Sequence, residues 1–239
     1  GKSRLAQWMA RRAHELGGAT VLRATHSRQG GPTEGLPAMV EAALQAWELG
    51  RERTFEQVLD EIEGFYPSDY QSIRTLEDEA RALTEIIYPT PGGVPDIDGP
   101  RYHFSTAGER FAVIGRLLRE MSRERPVVIV LDDVQWGSDA LGFAEHLAER
   151  ASDMPVLALM TIDADAVDRQ SPVVRTSERL AEAPSHTTVR LGRFERREQE
   201  ELIERLLPLD GDVAKRIRRQ TEGIPLFAVQ LLSDWVERG

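Results

Sequence analysis

The sequence predicts an α/β fold in which a parallel sheet is flanked by helices and followed by a small helical subdomain. Three observations carry that prediction. The stretch "PVVIVLDD" (126–133) is apolar on both faces, as a strand of a parallel sheet covered by helices has to be. Segments of helical periodicity alternate with short apolar runs, the pattern of strand-helix-strand units with right-handed crossovers. After Leu191 the apolar runs stop and helical patterns alone remain, which places a boundary between a core of residues 1–191 and a helical part of residues 192–239. With 239 residues, 41% of them hydrophobic and 29% charged, the chain can bury one large core with a small appendage.

Taken in order, Leu5, Trp8, Met9 and Ala13 fall at helical spacing, and Gly17-Gly18 supplies a stop before "ATVLRA" (19–24), a short buried strand. Helical patterns follow over 34–50, 55–62 and 75–87. The stretch "PTPGGVPDIDGPRYHFS" (89–105), with four Pro and three Gly, reads as an exposed loop. The helix predicted over 107–124 gathers Phe111, Ile114, Leu117, Leu118 and Met121 on one face and ends before Pro126, where the interior strand begins. A helix over 138–151, a second continuous apolar run at 154–161 and a shorter one, "TTVRL" (187–191), complete the core. "REQEELIERLL", "GDVAKRIRRQT" and "PLFAVQLLSDWVERG" give three closing helices.

Composition narrows the function classes. No apolar run approaches the roughly 20 residues of a membrane span, and no charged-apolar-small leader pattern opens the chain. Cys is absent, so disulfides and thiolate metal sites are excluded and a cytoplasmic setting is expected. A net charge of −10 argues against general nucleic-acid binding, and the basic clusters Arg193/Arg196/Arg197 and Lys215/Arg216/Arg218/Arg219 sit among acids in helical stretches, as solvated faces do. The five His residues lack metal-ligand spacing, and no G-x-S-x-G elbow supports a nucleophilic serine.

Two stretches carry chemistry. The chain opens "GKSRLAQWMA", with Gly1, Lys2 and Ser3 in front of an amphipathic helix. In a nucleoside-triphosphate site the lysine reaches the β/γ oxygens, the hydroxyl ligates Mg²⁺, and the helix points its positive end at the phosphates. The whole pattern has a further glycine five residues before Gly1 and a strand before that, so the chain is expected to begin inside the phosphate loop. The same chemistry needs a carboxylate at the end of a neighbouring strand for Mg²⁺ and another acid for the attacking water. "VVIVLDDVQW" offers Asp132 and then Asp133. Two adjacent acids at the end of a strand buried on both faces are costly without a partner, and a bound cation would remove that cost.

"GKSRL", "IVLDDVQW" and "RQTEGIPLFAVQLL" resemble the P-loop NTPase module of AAA/STAND-type ATPases in large bacterial signalling proteins, over residues 1 to about 237. The resemblance implies a P-loop core with a helical lid, ATP and Mg²⁺ as ligands, and other domains of the same polypeptide as partners. Gly1, Lys2, Ser3 and Arg4 would contact the nucleotide. Ser3 and Asp132 would hold the metal, Asp133 would activate water, and Gly223 and Pro225 would belong to the lid motif near adenine and ribose. Gln135 and Trp136 occupy the place of a His or Gln followed by Trp. The chain departs from the pattern at Thr161-Ile162-Asp163, where relatives usually carry an arginine, and at Ser138, where an Asp is common; both departures bear on hydrolysis more than on binding. Without that resemblance Gly223-Ile224-Pro225 reads as a plain helix-loop-helix turn, and the four tryptophans read as core.

The expectation is therefore an ATP-binding, hydrolysing regulatory module. Two alternatives remain beside it, a non-hydrolysing nucleotide-binding scaffold for protein interaction and a DNA-loading ATPase, the latter disfavoured by the acidic balance.

Overall fold

The computed structural model describes residues 1–31, 33–47, 49–66, 73–90, 102–150, 153–168, 171–206 and 211–238. Residues 91–101 of the predicted loop lie outside them. Helix α1 (Lys2–Glu15) leads through Gly17, at φ 66°, into strand β1 (Thr20–Thr25). Helices α2 (Gly35–Ala43), α3 (Arg51–Phe65), α4 (Ile73–Ile87) and α5 (Ala107–Glu124) come before strand β2 (Val127–Asp132). Helix α6 (Ser138–Arg150), strand β3 (Val156–Met160) and helix α7 (Pro172–Ala181) follow, and α8 (Arg196–Leu206), α9 (Gly211–Thr221) and α10 (Pro225–Arg238) close the chain. By the clustering of contacts there are two compact units, Ala6–Thr187 and a smaller one made of Gly1–Leu5 with Thr188–Gly239.

In the larger unit the three strands form a parallel sheet in the order β1-β2-β3, with Thr25 paired to Asp132 and Leu131 to Met160. All six residues of β2 are buried, which is why the strand reads as an unbroken apolar run rather than an alternating one. Its odd positions, Val127, Ile129 and Leu131, join Leu22 and Ala24 of β1 in the large core under α2 to α6. Its even positions, Val128 and Val130, meet Ala6 and Ala10 of α1 together with Ala19. The predicted face of α5 is the buried one, with Phe111, Ile114, Leu117, Leu118 and Met121 all in the core. Thr106 starts that helix as N-cap, its Oγ1 accepting the Glu109 amide at 3.2 Å.

Several elements differ from the sequence expectation. On α1 the buried stripe is Ala6 and Ala10, while Leu5, Trp8 and Met9 are exposed. Small side chains let the helix approach a β-branched sheet face that bulky ones would hold away. Trp8 and Trp47, read as core, are 61% and 56% exposed. The helix expected to run to residue 50 stops at Ala43, because Gln45 turns left-handed at φ 52° and the Ala46 amide closes onto the Glu41 carbonyl. The segment 187–191 is not a strand: among the described residues the sheet has three strands, β1 to β3, and Val189 is 70% exposed. Helix α7, not among the predicted helices, begins with Ser171 as N-cap and Pro172 at the first helical position.

The smaller unit has its own core, in which Ile203 of α8, Ile217 of α9 and Ala228 and Leu232 of α10 pack together. Between α9 and α10, Glu222 and Gly223 both take positive φ, at 48° and 78°. A side chain at Gly223 would meet the Phe194 carbonyl at 2.6 Å, and the Phe194 amide in turn donates to the Gly223 carbonyl at 2.8 Å. Glycine is therefore demanded by the turn itself. Pro225 opens α10 at the position where a missing N–H is harmless.

Candidate functional site

Alternation along β2 puts Asp132 on the same sheet face as Val128 and Val130, the face that α1 covers, at the C-terminal edge of the central strand. That edge is where open parallel sheets present ligand-binding groups. The register sets its neighbours. Arg23 of β1 stands opposite Val130, one pleat back on the same face, and Thr161 continues β3 beside Asp132. Asp132 is accordingly held from two sides: Oδ2 accepts from Arg23 Nη2 at 3.0 Å, and Oδ1 accepts from the Thr161 hydroxyl at 2.6 Å. The carboxylate is 6% exposed and the guanidinium side chain 45%, so the cationic partner lies on the solvent side. The amide of Gln7 in α1, oriented with its oxygen toward the guanidinium, accepts from Arg23 Nη2 at 2.7 Å and Nη1 at 3.2 Å.

At Asp133 the chain leaves the strand through a left-handed conformation, φ 55° and ψ 46°, and passes into a 3-10 turn (Val134–Trp136). Aspartate tolerates this region better than most residues, at about 1 kcal/mol of strain. The Thr161 hydroxyl, while donating to Asp132, accepts the Asp133 amide at 2.9 Å, so one oxygen ties both acidic residues to the end of β3. Gln135 spans the same gap: its Nε2 donates to Asp133 Oδ1 at 3.1 Å and its Oε1 accepts the Asp163 amide at 3.1 Å.

His26, just past β1, donates from its backbone amide to the Asp132 carbonyl at 3.1 Å, and its Nδ1 lies 2.9 Å from that same oxygen. A bond from the ring to a carbonyl requires the proton on Nδ1. Gly137 gives the ring its room, since a Cβ there would fall 2.1 Å from His26 Cδ2. Arg28 lies over the Trp136 ring, 4.8 Å from its centroid, close enough for a cation-π contact.

Among the residues expected from the sequence, Asp132 and Asp133 are brought into one hydrogen-bonded cluster in the larger unit. Gly1 caps α1 through its carbonyl, which accepts the Leu5 amide at 3.0 Å, and Lys2, Ser3 and Arg4 form the first turn of that helix. These four, with Gly223 and Pro225, belong to the smaller unit. Contrary to the expectation from sequence, the two acids have protein partners: Arg23 and Thr161 hold Asp132, and Gln135 holds Asp133. Two adjacent carboxylates at a strand end suit a magnesium ion of the kind that keeps its waters and uses one or two carboxylates with phosphates. They do not make an all-protein cage, for among the described residues no group of three or more His, Cys, Asp or Glu is placed to hold a metal.

Arg23, Thr161, Gln7 and His26 were not anticipated as site residues. Arg23 and Asp132 are 109 positions apart, and only the strand register joins them. The one available signal was a charged residue in the middle of a short apolar strand, "TVLRAT". Among the described residues no helix is long and apolar enough to cross a membrane. No family model matches the chain, and no curated protein or solved structure matches it.

Proposed function

We propose that the chain is a P-loop-type nucleotide-binding module that binds ATP with Mg²⁺ and hydrolyses it, as a regulatory element of a larger cytoplasmic signalling protein. The observation that carries this reading is the paired acids Asp132 and Asp133, set at the C-terminal edge of a parallel strand buried on both faces. Ala6 and Ala10 of α1 pack on the sheet face that bears Asp132. Lys2 would grip the β/γ phosphates with its ammonium, the first-turn amides of α1 with Gly1 and Arg4 would add positive potential, and Gly223 and Pro225 would border the base and ribose. Ser3 and Asp132 would hold Mg²⁺, which when bound screens the phosphate charge. Asp133 Oδ2 would take the proton of the attacking water, because Gln135 fixes Oδ1 and thereby aims the other oxygen.

Binding of ATP to the full chain, measured with and without Mg²⁺, tests this. Lys2→Ala should lose about 10- to 150-fold in affinity, the worth of one charge-assisted hydrogen bond. Asp132→Asn should weaken Mg·ATP while sparing magnesium-free nucleotide. Unchanged affinity in both variants would remove the site.

A second reading, a nucleotide-binding scaffold that does not hydrolyse, is favoured by the end of β3, where Thr161, Ile162 and Asp163 stand and the Thr161 hydroxyl is committed to Asp132 and Asp133. Nucleotide binding without phosphate release would select it.

A further inference from the structure

We propose that Arg23 is a displaceable internal counter-ion for Asp132, so that Mg²⁺ has to compete with a guanidinium of the protein for this carboxylate. The inference rests on the reading of Asp132 as the magnesium-side acid and adds to it a regulating residue on another strand.

The geometry supplies three arguments. First, a carboxylate 6% exposed at the end of a buried strand needs opposite charge close by, and Arg23 Nη2 provides it at 3.0 Å from Oδ2. Second, Arg23 and Thr161 differ in kind as partners of the Asp132 carboxylate. Thr161 is buried and bound to the acidic pair by two short bonds, at 2.6 and 2.9 Å, and cannot leave without opening the end of β3. Arg23 comes from the solvent side, with 45% of its side chain exposed, which is the direction from which a hydrated cation would also arrive. A half-exposed guanidinium can swing into water at little desolvation cost, whereas the buried acid cannot follow it. Third, the position of Arg23 is set from α1 as well as by Asp132: the Gln7 amide oxygen accepts from both its terminal nitrogens, at 2.7 and 3.2 Å. Gln7 keeps the fork in position beside the carboxylate.

Two cations sharing one carboxylate repel, so whatever Arg23 contributes to the metal-free state is subtracted from the gain Mg²⁺ brings. In the wild-type chain the tightening of ATP binding by Mg²⁺ should therefore be smaller than the bare carboxylate would give. Arg23 is a positioning residue in this scheme.

The test compares the wild-type full chain with Arg23→Gln, Arg23→Lys and Gln7→Ala. For each, the dissociation constant of ATP is measured in EDTA and in Mg²⁺, and the thermal shift by Mg²⁺ alone is recorded without nucleotide. Arg23→Gln should raise the ratio of the two constants by about 5- to 10-fold, the worth of one half-exposed charge pair on a buried acid. The same variant should be stabilised by Mg²⁺ at concentrations that leave wild type unmoved. Arg23→Lys, which keeps the charge, should restore the wild-type ratio. Gln7→Ala, a mild change on a helix surface, should move the ratio in the direction of Arg23→Gln by a smaller factor. Nucleotide bound by all four proteins with one common magnesium ratio would overturn the counter-ion role and leave the nucleotide site standing. Absence of ATP binding in the wild type, with or without Mg²⁺, would overturn the nucleotide reading and this inference together.

Discussion

At the level of single residues the site is held by contacts that tolerate little change. Gly137 has a negative φ of −123°, so what demands glycine there is space, with the His26 ring 2.1 Å from where a Cβ would sit. Gly137→Ala should push the ring off the Asp132 carbonyl and lower stability by about 1–3 kcal/mol, read from the urea midpoint. The double variant His26→Ala/Gly137→Ala should then cost clearly less than the two single costs added, because the clash and the lost bond are one event. His146, half-buried on α6 and 6.1 Å from the Phe111 ring, is of another kind: burial, and after it the Arg150 charge, hold its imidazole below the ordinary value. The unfolded chain then takes up the proton more readily than the folded one. Its contribution is fully present above the ordinary value near pH 6.5, is lost as pH falls through that value toward the folded one, and is gone below it. His146→Gln should flatten the stability curve on the acid side of pH 6.5 and leave the slope above it unchanged.

Secondary elements were legible in the sequence where the apolar pattern coincided with what is buried. Strand β2 announced itself because both its faces are covered, and α5 because its apolar stripe is also its buried one. Helix α1 misled for a physical reason: hydrophobicity ranks Trp8 and Met9 above alanine, yet what fits against Val128 and Val130 is the small face of Ala6 and Ala10. Exchange there should invert the usual expectation. Ala10→Leu should overfill the contact and cost about 1–3 kcal/mol, while Trp8→Ala should stay within about 0.5 kcal/mol of wild type, both from thermal or urea unfolding. The segment 187–191 was apolar enough to read as a strand, but strand formation depends on a neighbour that the sequence pattern does not name. The acids of the site were visible as adjacent letters after an apolar run, whereas their partners on β1 and at the end of β3 became visible only through the register of the sheet.

For the molecule as a whole, the two readings of the site differ in what happens after ATP has bound. A ligand that binds the folded chain and not the unfolded one stabilises it by mass action, by about 2.7 kcal/mol at a hundred times its dissociation constant. If the module hydrolyses, that stabilisation is temporary: a limiting pulse of Mg·ATP raises the melting temperature, and the increment relaxes toward the value with ADP as phosphate is released. In the proposed mechanism this relaxation would depend on Asp133, because Asp133→Asn keeps a side chain of the same shape for Gln135 to hold while losing the capacity to accept a proton at Oδ2. The variant should show the same initial increment and hold it about 10²- to 10⁴-fold longer, the range expected for a lost general base. In the scaffold reading wild type and variant hold the increment equally long and neither releases phosphate. A variant that relaxes as fast as wild type, with phosphate appearing at the same rate, would assign the proton to a group other than Asp133 and leave Asp132 and Lys2 with binding alone.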